Sequence, residues 1–497
     1  MTLATASVVA APVRGRQLRP RSRPYLLHRP PLRRRASYRP PPDPRHTKPK
    51  GTATAWTRIR RLLWSWWPWA LLCVYFIDQR NWYAALGVAI WSGVCSLSTP
   101  IEFPPQYGLD HGMTVSDPEF VDTMAGAGGV PFVPGNSLTL LNNGDRFYPA
   151  MLEAIAQATH TITIEAYIYW AGEIGVTFAR ALAAAAARGV GVKILLDAVG
   201  SATVGSEILR ILENGGCHVA WYNPIRWNRL RRINNRTHRK SLIVDGRIGF
   251  TGGAGIADHW TGDAQDDAHW RDLQIRIEGP AVRPLQTGFA QNWLECTSEL
   301  VTGPHFYPAP AASGDLALQT IMSSPETGAS AVRVMYCLAI SAARVSIDIA
   351  NPYFVPDHVS IDLFRDAVKR GVRVRVMVAG ASNDTPITRV NSVRLYGALL
   401  DAGVALYEFN RTMMHHKIMM IDGLWSTVGT ANFDNRSFAH NEESNVSVLS
   451  ESVTRELTGA YERDITLSER VTKEAWKRRG LPHKAVEALA SFVQDQV

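Results

Sequence analysis

Two histidine–lysine pairs recur in this chain at one spacing. His238-Arg239-Lys240 is followed after four residues by Asp245, and His415-His416-Lys417 after four by Asp422. After six more residues each copy reaches a pair of small residues, Gly252-Gly253 and Gly429-Thr430. From the chain's own usage of His, Lys and Asp, one H-x-K-x4-D match arises by chance roughly 0.01 times. Two matches with matching tails therefore point to one site built from two similar halves. A neutral imidazole can attack phosphorus and be held covalently, while a second protonates the leaving oxygen. Both jobs run near neutral pH without a metal, because the ordinary imidazole pKa is about 6.5. The lysines place positive charge where phosphoryl oxygens gain negative charge in the transition state. Small residues after the strand, Gly253 and Thr430 among them, are expected to let backbone N–H groups approach the phosphate.

The elements that must position these groups alternate between strand and helix. Residues 162–168 alternate as a strand, residues 178–188 read as an Ala-rich helix closed by Gly189, and 190–196 as a second strand. The second half repeats the pattern, with a strand over 345–349, a helix over 361–370 closed by Gly371, and a strand over 372–378. Arg188-Gly189-Val190 and Arg370-Gly371-Val372 are equivalent points, so a whole α/β unit is duplicated, not only a motif. Strand alternation puts His238 and Lys240 on one face, and likewise His415 and Lys417. Arg239 and His416 are expected to point away, with His416 structural or solvent-facing. Asp245 and Asp422 are expected to hold local backbone and the opposite half, and each precedes Gly, a strong turn signature, although they complete the motif and are counted with the catalytic set.

On these residues the chain resembles the phospholipase D superfamily, whose mark is the duplicated H-x-K-x4-D motif, and within it the cardiolipin synthases. Residues 429–437 (GTANFDNRS) resemble the family's G-[ST]-x-N-x-D-x-R-S segment, and Asn441-Glu442-Glu443 its N-x-E. Trp270-Arg271-Asp272 and residues 277–282 (IEGPAV) resemble W-x-D and I-x-G-P-A-V. The likeness runs from about Asn136 to about Val448. It implies an α/β fold of two similar halves, each a mixed β-sheet flanked by helices, with the active site at their seam. It also implies that Asp272 and Glu443 orient the imidazoles of His238 and His415. Family members commonly offer an Asn amide to the phosphate in both halves; here Asn432 has Gly255 as its counterpart, so the phosphate site is asymmetric or a backbone N–H substitutes.

The 497 residues divide into a basic Pro/Arg-rich tail expected to be disordered (1–61), an apolar helical hairpin (62–98), a linker (99–135), and the two halves (136–310 and 311–497). The net charge of +9 hides a split. The tail holds sixteen Lys or Arg against the single acid Asp43, leaving the remainder at −6. A mildly acidic body disfavours a nucleic-acid substrate, since such affinity rests on a basic face. Five scattered cysteines give neither a disulfide framework nor a metal clip.

Residues 62–77 and 82–98 carry no charge and are rich in Trp, and they are expected to form a two-helix transmembrane hairpin. Arg58, Arg60 and Arg61 ahead of it keep the tail on the cytoplasmic side, and two crossings return the catalytic part to that side of the cell (inner) membrane. Arg226, Arg229, Arg231, Arg232 and Arg236, interleaved with Trp227, Leu230 and Ile233, form either a solvated loop or a rim that draws anionic phospholipid inward. Residues 468–497 read as one or two amphipathic helices. The expected activity is phosphatidyl transfer from a glycerophospholipid, with cardiolipin as product when phosphatidylglycerol is the acceptor. His238 is assigned as nucleophile and His415 as acid/base, with no cofactor. The alternative is hydrolysis by a phospholipase D that gives the phosphatidyl group to water. The partners are glycerophospholipids and the bilayer; oligomeric state is not legible.

Overall fold

The computed structural model describes residues 66–97, 112–225, 234–325 and 330–480. The basic tail, residues 226–233 of the arginine-rich segment, and 481–497 lie outside the described residues.

Helices α1 (Trp66–Asp78) and α2 (Trp82–Leu97) form the expected hairpin. The Asn81 side chain accepts from the N–H of Ala84 at 3.2 Å and starts α2. Trp69 and Trp91 meet edge to face at 6.1 Å between the two helices. Leu71, Val74, Trp82, Leu86 and Ile90 are all exposed. No helix among the described residues is long and apolar enough to cross a membrane. At 1.5 Å per residue, 13 and 16 residues fall short of a hydrocarbon layer of about 30 Å.

The segment expected as a linker carries α3 (Pro118–Gly128). Its Phe120 and Met124 are fully buried in the core of the second half, and Phe120 lies edge-on to Trp425 at 6.4 Å. Two apolar side chains at helical spacing, Phe120 and Met124, were the sequence signal for this helix.

The first half follows as β1 (Val133–Asn142), α4 (Gly144–Gln157), β2 (Thr161–Ala166), α5 (Glu173–Ala187), β3 (Gly191–Asp197), α6 (Ser206–Asn214), β4 (His218–Tyr222), β5 (Arg236–Thr237), β6 (Ser241–Val244), β7 (Ile248–Gly252), β8 (Leu273–Glu278) and α7 (Val282–Thr297). The second half is β9 (Leu316–Ser323), α8 (Ala331–Ala342), β10 (Ser346–Ala350), α9 (His358–Lys369), β11 (Arg373–Ala379), α10 (Pro386–Asp401), β12 (Ala405–Phe409), β13 (Lys417–Ile421), β14 (Trp425–Gly429), α11 (Asn435–Ala439), β15 (Asn441–Leu449), α12 (Glu451–Thr466), β16 (Ser468–Val471) and α13 (Lys473–Lys477). Residues 468–471 are thus a strand rather than a helix, because they pair antiparallel with the free edge of β12.

The strand order is β16-β12-β11-β10-β13-β14-β15-β9-β1-β8-β7-β6-β2-β3-β4. Outward from the β9–β1 contact, β15-β14-β13-β10-β11-β12 on one side corresponds to β8-β7-β6-β2-β3-β4 on the other. The duplication is therefore a pseudo-twofold in the sheet. The two mixed sheets expected from the family likeness are fused into one, because β1 pairs antiparallel with both β8 and β9. The repeat extends to helix ends. The Arg188 guanidinium donates to the carbonyls of Ile155 and Ala156, closing α4, and that of Arg370 to Ile340 and Ser341, closing α8.

Each half has its own core, and a third joins them. Ile243, Ile275 and Leu285 from the first half pack with Met414, Val446 and Tyr461 from the second. At about 1.5–3 kcal/mol per buried large apolar side chain, that shared layer fixes the halves against one another.

Candidate active site

Each His–Lys segment is stitched to the opposite half before any side chain acts. Strand β5 runs parallel to the start of β15, and the His238 N–H donates to the Glu442 carbonyl at 2.9 Å. Correspondingly, Arg271 bridges to Met414, and the His415 N–H donates to the Arg271 carbonyl at 2.8 Å. The histidine of one half therefore sits one residue from the motif carboxylate of the other.

The side chains follow that crossing. His238 Nδ1 lies 3.0 Å and 3.1 Å from the two oxygens of Glu443, and His415 Nδ1 lies 3.0 Å from Asp272 Oδ2. A carboxylate oxygen only accepts, so each Nδ1 carries the proton and each Nε2 keeps its lone pair. Glu443 is itself held by the Thr430 hydroxyl at 2.5 Å and the Asn441 amide at 3.2 Å. Asp272 is held by the Trp260 indole at 2.8 Å and the Leu273 N–H at 2.7 Å.

Both imidazoles line one cleft of about 450 Å³, together with Lys240, Tyr167, Tyr353, Asn432, Asp434 and Arg436. Lys240 Nζ donates to the His238 carbonyl at 2.9 Å. Lys417 Nζ donates to the His415 carbonyl and also reaches His415 Nε2 at 3.1 Å. The Nε2 of His238 has no hydrogen-bond partner among the described residues. The two halves are thus alike in backbone and unlike in which lone pair is free.

Burial sets the electrostatics. It pushes His238 down to about 4, with Lys240 and Lys417 adding to the fall and Glu443 opposing it. His415 is lowered by burial and by Lys417, against Asp272. Burial and Lys417 bring Lys240 down to about 7, and burial brings Lys417 to about 8. Burial alone would raise the Glu443 carboxyl, but His238 and Thr430 hold it down at about 2, so it stays ionised. Asp272 is likewise kept below the usual carboxylate range by His415 and Lys417 despite its burial.

Two expectations are corrected by position. Asp245 and Asp422 do not line the cleft. Asp245 accepts from the N–H groups of Thr159, His160 and Thr161 at 2.7–2.9 Å and from the Thr159 hydroxyl at 2.8 Å. Asp422 accepts from Arg344, Val345 and Ser346, each at 2.8 Å. Each ties down the turn into the neighbouring strand of its own half, β2 or β10, from a left-handed backbone at φ 52° and 54°. The N–H groups of Gly253 and Thr430 do not reach toward a phosphate either, since they donate to the carbonyls of Leu273 at 3.1 Å and Ser444 at 2.9 Å. Gly253 is needed for space: a Cβ there would lie 2.2 Å from Asp272 Oδ1 and 2.7 Å from the His415 carbonyl. Thr430 serves through its hydroxyl on Glu443.

The asymmetry at Asn432 has a packing cause. Asn432 lines the cleft, and its Oδ1 has no hydrogen-bond partner among the described residues. A Cβ at Gly255 would meet the Ile168 carbonyl at 2.8 Å and the Trp260 ring at 3.0 Å. The indole that holds Asp272 occupies the space a second Asn would need.

Arg239 and His416 point away from the cleft, as alternation requires, and both are buried rather than solvent-facing. Arg239 pairs with Glu442 at 2.5 Å and donates to the Gly288 and Ser323 carbonyls. His416 lies against Asp464 at 3.9 Å and is driven well below its ordinary pKa by burial and by Arg271.

Sequence reasoning missed Tyr167 and Tyr353. Tyr167 stands edge-on to His238 at 5.2 Å with Lys240 over its ring at 5.4 Å. Tyr353 is edge-on to His415 at 5.9 Å with Lys417 at 5.9 Å, and its hydroxyl donates to Asp384. Their signal was position: both follow the carboxyl ends of strands, β2 and β10, that have a parallel neighbour, where open α/β sheets gather ligand contacts.

Residues 151–293 and 336–465 match the family model described as cardiolipin synthase, PLD-like domain. A cardiolipin synthase 1 of Bacillus anthracis is 34% identical over 377 residues, 74% of this chain and 74% of that one. A cardiolipin synthase of Staphylococcus aureus is 32% identical over 361 residues, 72% of this chain and 73% of its own. The crystal structure of a phosphatidylserine synthase from Haemophilus influenzae Rd KW20 aligns with a TM-score of 0.58 at 12% identity, over 76% of this chain and all of that one, which is a likeness of fold. The chain belongs to the cardiolipin synthase family of phospholipase D-like proteins.

Proposed function

We propose that this protein is a phosphatidyltransferase that makes cardiolipin from two molecules of phosphatidylglycerol through a phosphohistidine. The observation that carries this is the crossed pairing of His238 with Glu443 and His415 with Asp272 in one cleft. In the first step His238 Nε2 attacks phosphorus, the bond from phosphorus to the glycerol oxygen breaks, and protonated His415 gives its proton to that oxygen. The negative phosphodiester in the cleft raises the proton affinity of His415, which burial otherwise lowers. In the second step neutral His415 takes the proton of a phosphatidylglycerol hydroxyl. That oxygen attacks phosphorus and the bond to His238 breaks. Lys240, Lys417 and the Asn432 amide offset charge on the phosphoryl oxygens. Glu443 and Asp272 fix the tautomers and stabilise whichever ring is charged.

Incubating the purified protein with phosphatidylglycerol in detergent tests the reading. Cardiolipin and glycerol as products support it; phosphatidic acid alone makes the protein a hydrolase.

The exposed apolar side chains of α1 and α2 support insertion of the hairpin into the cell (inner) membrane. A hairpin that enters and leaves on one side keeps the catalytic body with the basic tail, on the cytoplasmic face. A C-terminal topology reporter that reads the opposite side overturns this placement.

A further inference from the structure

The duplication breaks at two places that the proposed chemistry does not use. Arg236 lies two residues before His238, and the matching position in the second half, 177 residues on, is Met413. Arg436 lies in α11, and the matching position in the first half is His259. Both residues line the cleft, together with Tyr167 and His238. Burial and Asp197 raise the pKa of the Tyr167 hydroxyl, while Arg436 and Arg236 oppose the rise, so both cations act on that oxygen. The Tyr167 hydroxyl has no hydrogen-bond partner among the described residues.

Arg236 is only 2% exposed. It donates to the Asn223 carbonyl at 2.8 Å and to Asp197 at 3.4 Å, and its buried Nε has no partner among the described residues. A guanidinium carries five donors in a planar fork that suits phosphate oxygens. Asp197 is shared between Arg236 and backbone donors. Asp197 accepts from the N–H groups of Val199, Gly200 and Thr237. Asp434 caps α11 through the Ser437 N–H at 2.7 Å, and Asp384 accepts the Tyr353 hydroxyl.

We propose that Arg236, Arg436 and the Tyr167 hydroxyl form a second phosphate subsite, which holds the phosphodiester of the acceptor lipid while the His–Lys centre handles the phosphorus under attack. The inference rests on the phosphatidyl-transfer reading and deepens it. Water carries no phosphate, whereas phosphatidylglycerol brings one, so the subsite favours the lipid acceptor over hydrolysis.

The test compares two soluble headgroups on the full chain in detergent by titration calorimetry. Deacylated cardiolipin has two phosphodiesters and glycerophosphoglycerol has one. The wild-type protein is expected to bind the first at least about tenfold more tightly, the scale of one lost charge-assisted contact. Arg436→Gln removes the difference, Arg436→Lys restores part of it, and Tyr167→Phe reduces it. Equal affinity of the wild type for both headgroups, or equal weakening of both in Arg436→Gln, overturns the subsite. Cardiolipin formation is assayed in parallel. If the wild type makes cardiolipin while Arg436→Gln keeps the full preference, the subsite is wrong and transfer stands. If no cardiolipin forms but the preference still depends on Arg436, transfer is wrong and the second phosphate site stands.

Discussion

Glu443, from the second half of the chain, holds Nδ1 of His238, from the first, at 3.0 Å, and Thr430 and Asn441 hold Glu443 in turn. Neither half can orient its own histidine. The two copies therefore build one site between them.

This crossing sets the first prediction. Glu443→Gln leaves the contact close in shape but removes the charge that favours an imidazolium, and lets the amide present a donor to Nδ1. We expect kcat to fall about a hundredfold or more with a much smaller change in KM. Asp272→Asn does the same through His415. A tenfold rise in KM at unchanged kcat would show that these carboxylates bind substrate instead.

In the proposed mechanism the free lone pair selects the histidine that attacks phosphorus. Lys417 reaches Nε2 of His415 at 3.1 Å, and no group among the described residues engages Nε2 of His238. His415→Asn loses the acid of the first step as well as the base of the second, so a phosphatidyl-enzyme on His238 is expected to accumulate with a phosphatidyl substrate whose leaving group, such as 4-nitrophenolate, needs no proton. Mapping the labelled peptide by mass spectrometry decides the matter; label at position 415 in the His238→Asn protein would reverse the roles.

The pH profile has a stated sign on each side. His238, lowered to about 4 by burial, is already the neutral nucleophile well below the ordinary imidazole pKa, so the acid limb of kcat/KM is displaced downward. Lys240 at about 7 and Lys417 at about 8 lose their charge as pH rises, so the rate falls through that window on the alkaline side. A profile that is still rising at pH 9 would contradict the role given to the lysines.

Asp245 and Asp422 bear on stability. Asp245→Asn places an amide donor against three backbone N–H groups and is expected to destabilise the protein by about 1–3 kcal/mol, read as a shift in denaturant midpoint. The hydrogen bonds hold the Asp245 carboxyl below its usual range in spite of burial. Its contribution is therefore complete above the unfolded-state pKa and lost as pH falls through the folded one, and the variant lacks that acid dependence. Per folded molecule, turnover should stay within about threefold. A hundredfold loss of turnover in fully folded protein would return these residues to the catalytic set.

The chain by itself settled what depends on local order. The duplicated H-x-K-x4-D phrase, the Arg-Gly-Val helix ends and strand alternation gave the two α/β halves and the same-face placement of each His–Lys pair. The tertiary structure decided what depends on contacts between distant residues. Asp272 and Glu443 were legible as orienting groups, yet their exchange between halves arises only because β5 pairs with β15 and Arg271 with Met414. Gly255 was visible as a departure, but its cause is an indole from position 260 filling the space. Asp245 and Asp422 shared the motif with the catalytic groups and yet lie outside the cleft. A strand carries residues seven apart some 20 Å along its length or around a turn, so closeness in sequence did not mean closeness to the phosphorus.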